Sequence, residues 1–501
     1  MSTGPAIRCE DTERGYPQLR DRAGLIAGGL QALGVAPGDR VAVLLRNSVE
    51  FIEVTAGIGR AGASPVPVNW HWRGAELSYL LADSGSRAVF AHSEFVPVAA
   101  AAAPAGVPVI EVTQPGAGRA DPGGPELESW LAGQQPVADT GGLPRFGVIY
   151  TSGTTGRPKG VIREPVDADR LLTMAAALLA RFGLETGGRT LIPAPMYHSA
   201  PNVVATAAAM LGMDMTIMPA FDPERLLALV DRHRITQVQM VPTMFVRLLR
   251  LPAEVRARYD LSSLAKVVHS AAPCPVGVKR QMIGWLGPIV EEYYGGTETG
   301  PVVWCDSADW LTHPGTVGAP VDDAQIRIVG PDGATLPPGE VGSVYVRPPG
   351  WWPGFSYLGD DAKRRAMELA GFVTVGDIGR LDGDGYLYLT GRASDMVISG
   401  GVNIYPAEIE AALLDLPGVR DSAVFGIPDE EFGEALAAHI EVEPGAALTE
   451  EEVRGFLRQA LAGYKSPKVV VFTPELPREE TGKLFKRVLR DPYWAGTGRS
   501  I

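Results

Sequence analysis

From Leu19 to Tyr293 the chain repeats one rhythm: a short run of β-branched and apolar residues, a cluster of Gly, Pro, Ser or Thr, then a longer stretch of helical period. Such alternation builds parallel sheets covered by helices and gathers ligands at the strand ends. Strands are expected at Arg40 to Leu45, Ser64 to Val68, Ala88 to Ala91, Val109 to Val112, Gln237 to Val241, Lys266 to His269 and Ile289 to Tyr293. Helices are expected at Leu19 to Leu33, Glu76 to Leu81, Pro223 to His233 and Val278 to Trp285. The Ala, Pro and Gly of Pro97 to Gly124 read as a surface excursion. Around Ala324 to Val346 the pattern changes to hairpins turned at Pro331-Asp332-Gly333 and Pro337-Pro338-Gly339. After Gly400-Gly401 it restarts as a compact unit, with helices at Pro406 to Leu416 and Thr449 to Ala462 and strands at Arg420 to Ile427, Ala435 to Val442 and Lys468 to Phe472. The expected fold class is α/β. A large N-terminal domain of α/β subdomains plus a β-rich subdomain spans 1–394, and a small α+β C-terminal domain spans 395–501.

A chain of 501 residues exceeds one ordinary core. Its 45 basic against 58 acidic residues leave a net charge of −13, which argues against a sequence-independent grip on nucleic acid or an anionic membrane. Any anionic ligand must be held locally. Cys9, Cys274 and Cys305 are odd in number and form no Cys-x-x-Cys pair, so neither a disulfide framework nor a structural zinc site is indicated. With no basic start followed by an apolar stretch, and no transmembrane segment, a cytoplasmic protein is expected.

Tyr150 to Gly160 packs five hydroxyl side chains, three glycines and two cations into eleven residues, directly after the apolar run Phe146 to Ile149. Glycines bring bare amides close to an anion, hydroxyls add donors and Lys159 adds a point charge, so the stretch is a phosphate grip for a nucleotide polyphosphate. It is not a Walker A loop, because Lys159 follows Pro158 and precedes Gly160. Further along, Tyr293-Tyr294-Gly295-Gly296-Thr297-Glu298 ends a strand with aromatics for a base and a carboxylate suited to Mg²⁺. Gly376-Asp377 offers a carboxylate to ribose hydroxyls, Arg392 and Asp395 stand at the domain boundary, and Thr481-Gly482-Lys483 places a cation near the C-terminus.

In this order and spacing the motifs resemble the adenylate-forming superfamily of acyl-CoA synthetases, aryl-CoA ligases and luciferases, over nearly the whole chain. Tyr294-Gly295-Gly296-Thr297-Glu298 is similar to its Tyr-Gly-x-Thr-Glu, and Pro195-Met196-Tyr197-His198 to its Pro-x-x-His segment. The resemblance implies an ATP-dependent acid:CoA ligase that makes an acyl adenylate and then a thioester, with ATP, Mg²⁺ and coenzyme A taking part and a homodimer as a permitted assembly. It implies catalytic roles for Lys483, Glu298, Thr297 and His198, with Glu298 on the metal. Nucleotide contacts fall to Thr151, Ser152, Gly153, Thr154, Thr155, Lys159, Ala272, Tyr293, Tyr294, Asp377 and Arg392. The acyl pocket falls to Tyr197, His198, Ser270, Ala271, Gly295 and Gly296. The C-terminal domain is implied to be mobile, swinging about Asp395.

Lys483 by itself would be an ordinary tail lysine, and its role comes wholly from the resemblance. His71 and His269 read as ordinary strand-adjacent histidines, Trp70 and Trp72 as packing residues, and Cys274 as a small wall residue without a base beside it in sequence. Ser270 and Tyr293 stand where many members carry glycine, which argues against a plain phenylpropanoid substrate. The wording Tyr197 to Asn202 is closer to ligases of fatty, steroid and bile acids, so the expected substrate is a bulky hydrophobic carboxylic acid. The alternative is a stand-alone adenylation enzyme that loads a carrier-protein thiol in trans.

Overall fold

The computed structural model describes residues 4–114, 124–138, 146–151, 158–478 and 484–495. Its centre is a nine-stranded sheet in the order Ala319–Pro320, Gly300–Cys305, Val290–Gly296, Lys266–His269, Gln237–Met240, Arg189–Ile192, Asp214–Ile217, Ala6–Cys9 and Thr12–Gly15. The strands from Val290–Gly296 to Ala6–Cys9 run parallel, as the β-then-α rhythm requires. Alternation within a strand decides what each face touches: Val267 joins Met240, Phe245 and Met282 on one side, while Val268 joins Met174, Val204 and Ala205 on the other. Both faces are covered.

A second, parallel sheet has Ser64–Pro67, Arg40–Leu44, Val89–His92 and Val109–Val112 as its strands. Helix Val49–Arg60 starts where the Ser48 side chain accepts from Phe51 N, and helix Pro223–His233 where Asp222 accepts from Arg225 N with Pro223 in the first turn. The expected surface excursion is corrected in part. Val96–Ala102 is a helix whose Ala99 is fully buried in one core with Val89, Ala91 and Phe95, while Val109–Val112 is, as expected, a strand, at the edge beside Val89–His92.

The hairpin region forms a six-stranded antiparallel sheet from Gln325–Val329 to Leu387–Arg392. A separate three-stranded sheet joins Ile149–Thr151 and Lys159–Arg163 to the distant strand Phe355–Tyr357. Beyond the 3₁₀ turn Ala393–Asp395, the strands Val419–Asp429, Gly433–Val442 and Val469–Thr473 form a sheet with helices Pro406–Leu413 and Glu450–Ala460 packed in one core. The second helix starts with a capping box, Thr449 and Glu452 each bonding the other's backbone. The fold class is thus the one expected from the sequence: α/β, with a large N-terminal part and a smaller C-terminal part. Among the described residues no helix is long and apolar enough to cross a membrane.

Candidate active site

The turn Tyr294 to Glu298 joins two polar clusters. At its start, the Tyr294 hydroxyl donates to Asp377 Oδ2 at 2.7 Å, and Arg392 Nε lies 3.3 Å from Asp377 Oδ1. Burial raises the Asp377 carboxyl above its ordinary range, while Arg392 and the Tyr294 hydroxyl act the other way. At its end, Glu298 Oε1 accepts from Thr151 Oγ1 at 3.3 Å and from the Tyr357 hydroxyl at 2.9 Å. The Thr297 hydroxyl bonds Ser199 Oγ at 3.2 Å, beside His198. Residues far apart in the chain therefore meet at the ends of parallel strands, where α/β ligand sites form.

Adjacent strand residues point to opposite faces, and this separates the two tyrosines grouped together in the sequence. Tyr293 stacks on Trp304 with ring centroids 5.6 Å apart and meets Phe182 edge-on at 5.4 Å. Burial raises its hydroxyl above the ordinary tyrosine range, and Ser270 beside it acts the other way. Tyr197 lies against both His198 and Trp70, at 4.3 and 5.1 Å between ring centroids. Ala271 is exposed and holds φ at +76°, a left-handed conformation that costs a side chain of order 1 kcal/mol, while Ala272 beside it is half-buried. Strain of this size, at a strand end beside Ser270, needs a tightly held surrounding.

Gly295 and Gly296 are bare for different reasons. A Cβ on Gly295 would stand 1.7 Å from Gly300 O, so the close approach of the two hairpin strands requires the glycine. A Cβ on Gly296 would reach Glu298 Oε2 at 3.1 Å, so a side chain here would press on the carboxylate. Among the described residues the hydrogen bonds to the Glu298 carboxylate fall on Oε1, an arrangement that fits a hard cation with oxygen ligands at Oε2. Mg²⁺ bound there would neutralise phosphate charge.

Four residues without a sequence motif belong to this corner. Arg163 stacks over Trp352 at 4.8 Å and donates to Glu298 O, and desolvation lowers its guanidinium to about 10. Tyr357 packs its ring under the Lys159 ammonium at 5.6 Å, and Asp360 pairs with Lys159. Tyr357 lies 59 residues from Glu298 and Asp360 201 residues from Lys159, so no local spacing signals them. Arg163 alone had a sequence signal, standing two pleats along the strand from Lys159.

Behind the site, Lys279 Nζ and Glu292 Oε2 form a fully enclosed pair at 2.6 Å, and His269 Nε2 lies 3.5 Å from the same oxygen. His269 meets Phe245 edge-on, as its plain reading required, and burial keeps it well below its ordinary pKa. The trio ties helix Val276–Leu286 to the strands that lead into Ser270 and Tyr293. Burial likewise pushes the Cys274 thiol up, away from nucleophilic use. Asp395 ends the 3₁₀ turn between the β-rich sheet and the C-terminal unit. Ser152, Gly153, Thr154, Thr155 and Lys483 lie outside the described residues.

Residues 3–355 match the model of the AMP-binding enzymes, and residues 408–483 match that of the AMP-binding enzyme C-terminal domain. The chain belongs to the AMP-binding enzyme family. It is 36% identical over 491 residues to a feruloyl-CoA synthase from Amycolatopsis sp, with 97% of this chain and 95% of that one covered. It is 34% identical over 497 residues to the long-chain-fatty-acid–CoA ligase FadD13 of Mycobacterium tuberculosis, covering 97% and 94%. ATP-bound MatB from Rhodopseudomonas palustris superposes with a TM-score of 0.83 at 31% identity, covering 98% of this chain and 96% of that one. The adenylate-forming resemblance drawn from the motifs holds, and with it the expectation of an enzyme of the acyl-CoA synthetase type.

Proposed function

We propose that the chain activates a bulky hydrophobic carboxylic acid with ATP and transfers the acyl group to coenzyme A. The observation that carries this reading is the Tyr294 to Glu298 turn, which holds a ribose-type carboxylate partner at one end and a metal-type carboxylate at the other. A substrate carboxylate oxygen attacks the α-phosphorus, the bond to pyrophosphate breaks, and an acyl adenylate forms. The coenzyme A sulfur then attacks the acyl carbonyl and AMP leaves. Asp377 takes the ribose hydroxyls, Lys159 with the hydroxyls of 151–155 steadies the outer phosphates, and Lys483 offsets the repulsion between the two anions that must meet. Groups of this kind typically contribute about 3 kcal/mol each to transition-state stabilisation.

Residues 1–394 form the nucleotide and acid-binding domain and 395–501 a mobile domain hinged at Asp395, which withdraws Lys483 before the thiol step. A large apolar acyl group is supported by the 34% identity to a long-chain-fatty-acid–CoA ligase. The test is AMP release from an acid panel that includes long-chain, polycyclic and hydroxycinnamic acids, with coenzyme A present or absent. Turnover is expected with large hydrophobic acids and to require coenzyme A. No AMP from any acid would refute the reading, and AMP turnover sustained by a pantetheinylated carrier protein but not by coenzyme A would move it to carrier loading.

A further inference from the structure

The segment Trp351 to Ala366 carries no motif, yet it crosses the phosphate corner and touches it at three points. The Trp352 ring lies under Arg163, the Tyr357 hydroxyl donates to Glu298, and Asp360 pairs with Lys159. The strand Phe355–Tyr357 fixes this alignment through its pairing with Lys159–Arg163, and Leu358 N adds a bond to Gly160 O at 2.8 Å. Asp360 then uses its two oxygens differently. Oδ1 accepts from Lys363 N at 3.0 Å and caps helix Asp361–Ala366, while Oδ2 takes the Lys159 ammonium. The Lys159 and Asp360 side chains are 16% and 37% exposed, so a solute can reach the pair.

An ammonium that already has a carboxylate on it must give that partner up, or share itself, when a polyphosphate arrives. We propose that Asp360 is a resident counter-ion for Lys159 that exchanges with polyphosphate and so limits how tightly pyrophosphate is retained, with Tyr357 positioning Glu298 on the adjoining side. Weaker retention lets the first product leave, and the same carboxylate re-covers the lysine afterwards. A cap alone does not call for a charge, since Asn caps as well as Asp. The inference rests on the assignment of Lys159 to polyphosphate.

The test is Asp360→Asn in the full chain, which keeps the cap and the volume while removing the charge. Binding of magnesium pyrophosphate is measured by titration calorimetry without acid or coenzyme A, alone and in a Lys159→Gln background. The dissociation constant is expected to fall about three- to tenfold in the single variant, with a steeper salt dependence, and not to change in the Lys159→Gln background. Equal or weaker binding, or an equal gain without Lys159, overturns the proposal. If wild type and Lys159→Gln bind pyrophosphate alike, the phosphate assignment itself is wrong and the counter-ion falls with it. Should Asp360→Asn fail to fold by circular dichroism, Asp360→Ser, also a good cap, supplies the same comparison.

Discussion

Replacing Gly295 and Gly296 singly with alanine separates a backbone requirement from a site requirement within one dipeptide. The Gly295 methyl would sit 1.7 Å from Gly300 O and 2.7 Å from Gly300 C, both backbone atoms on the partner strand. No side-chain rotation relieves such a clash, so the Val290–Gly296 and Gly300–Cys305 strands must part by more than about 1 Å at their tip. Overpacking against a fixed neighbour costs about 1–3 kcal/mol, and the backbone partner places Gly295→Ala at the upper end of that range. The Gly296 methyl would meet Glu298 Oε2 at 3.1 Å and Val375 Cγ1 at 3.7 Å, contacts that a small shift of one carboxylate relieves. Gly296→Ala is therefore expected to cost less than about 1 kcal/mol and to act on Glu298. Urea unfolding and acid-dependent pyrophosphate release, followed against magnesium concentration, read the two effects. Gly295→Ala should lower the first unfolding midpoint and turnover together, whereas Gly296→Ala should keep the midpoint and need more magnesium. An unchanged midpoint in Gly295→Ala would show that the close strand approach is not what demands the glycine.

Two further outcomes are expected. His92 is fully buried, accepts from Arg46 N at 3.1 Å, and is lowered by desolvation to about 4. Its neutral form is native, so its contribution is complete above the unfolded value of about 6.5 and is lost as pH falls towards 4, about 3 kcal/mol in all. Chemical unfolding from pH 7 to 4 should show a shallower loss in His92→Asn than in wild type, and parallel curves would contradict the assignment. On the role proposed for Lys483, Lys483→Ala should lower acid-dependent pyrophosphate exchange about 10²–10³-fold while leaving thioester formation from supplied acyl adenylate within a few-fold. Equal loss in both half-reactions would remove Lys483 from the adenylation step.

The layered core was legible because periodicity is local. Val267 and Val268 announce a strand covered on both sides, and Thr449 with Glu452 announces a helix start that the backbone then adopts, whereas helix Val49–Arg60 behind Ser48 was not among the expected ones. Within Pro97 to Gly124 the strand Val109–Val112 was legible, but the helix Val96–Ala102 was not, because alanine carries no amphipathic signal and the burial of Ala99 is decided by the neighbouring sheet. Glu298 and Asp377 stand out through their neighbours in sequence. Tyr357 and Asp360 do not, since their meaning arises when one strand crosses to join two others. The opposite facing of Tyr293 and Tyr294 follows from the pleat, although their motif groups them.

That crossing strand also bears on synthesis. Lys159 leaves the ribosome long before its partner Asp360, 201 residues later, and the sheet that frames it stays open at one edge until Phe355–Tyr357 arrives. A nascent chain ending before Phe355 thus exposes an unfinished strand edge and an uncompensated lysine, and nucleotide recognition matures late, after most of the large sheet has been made.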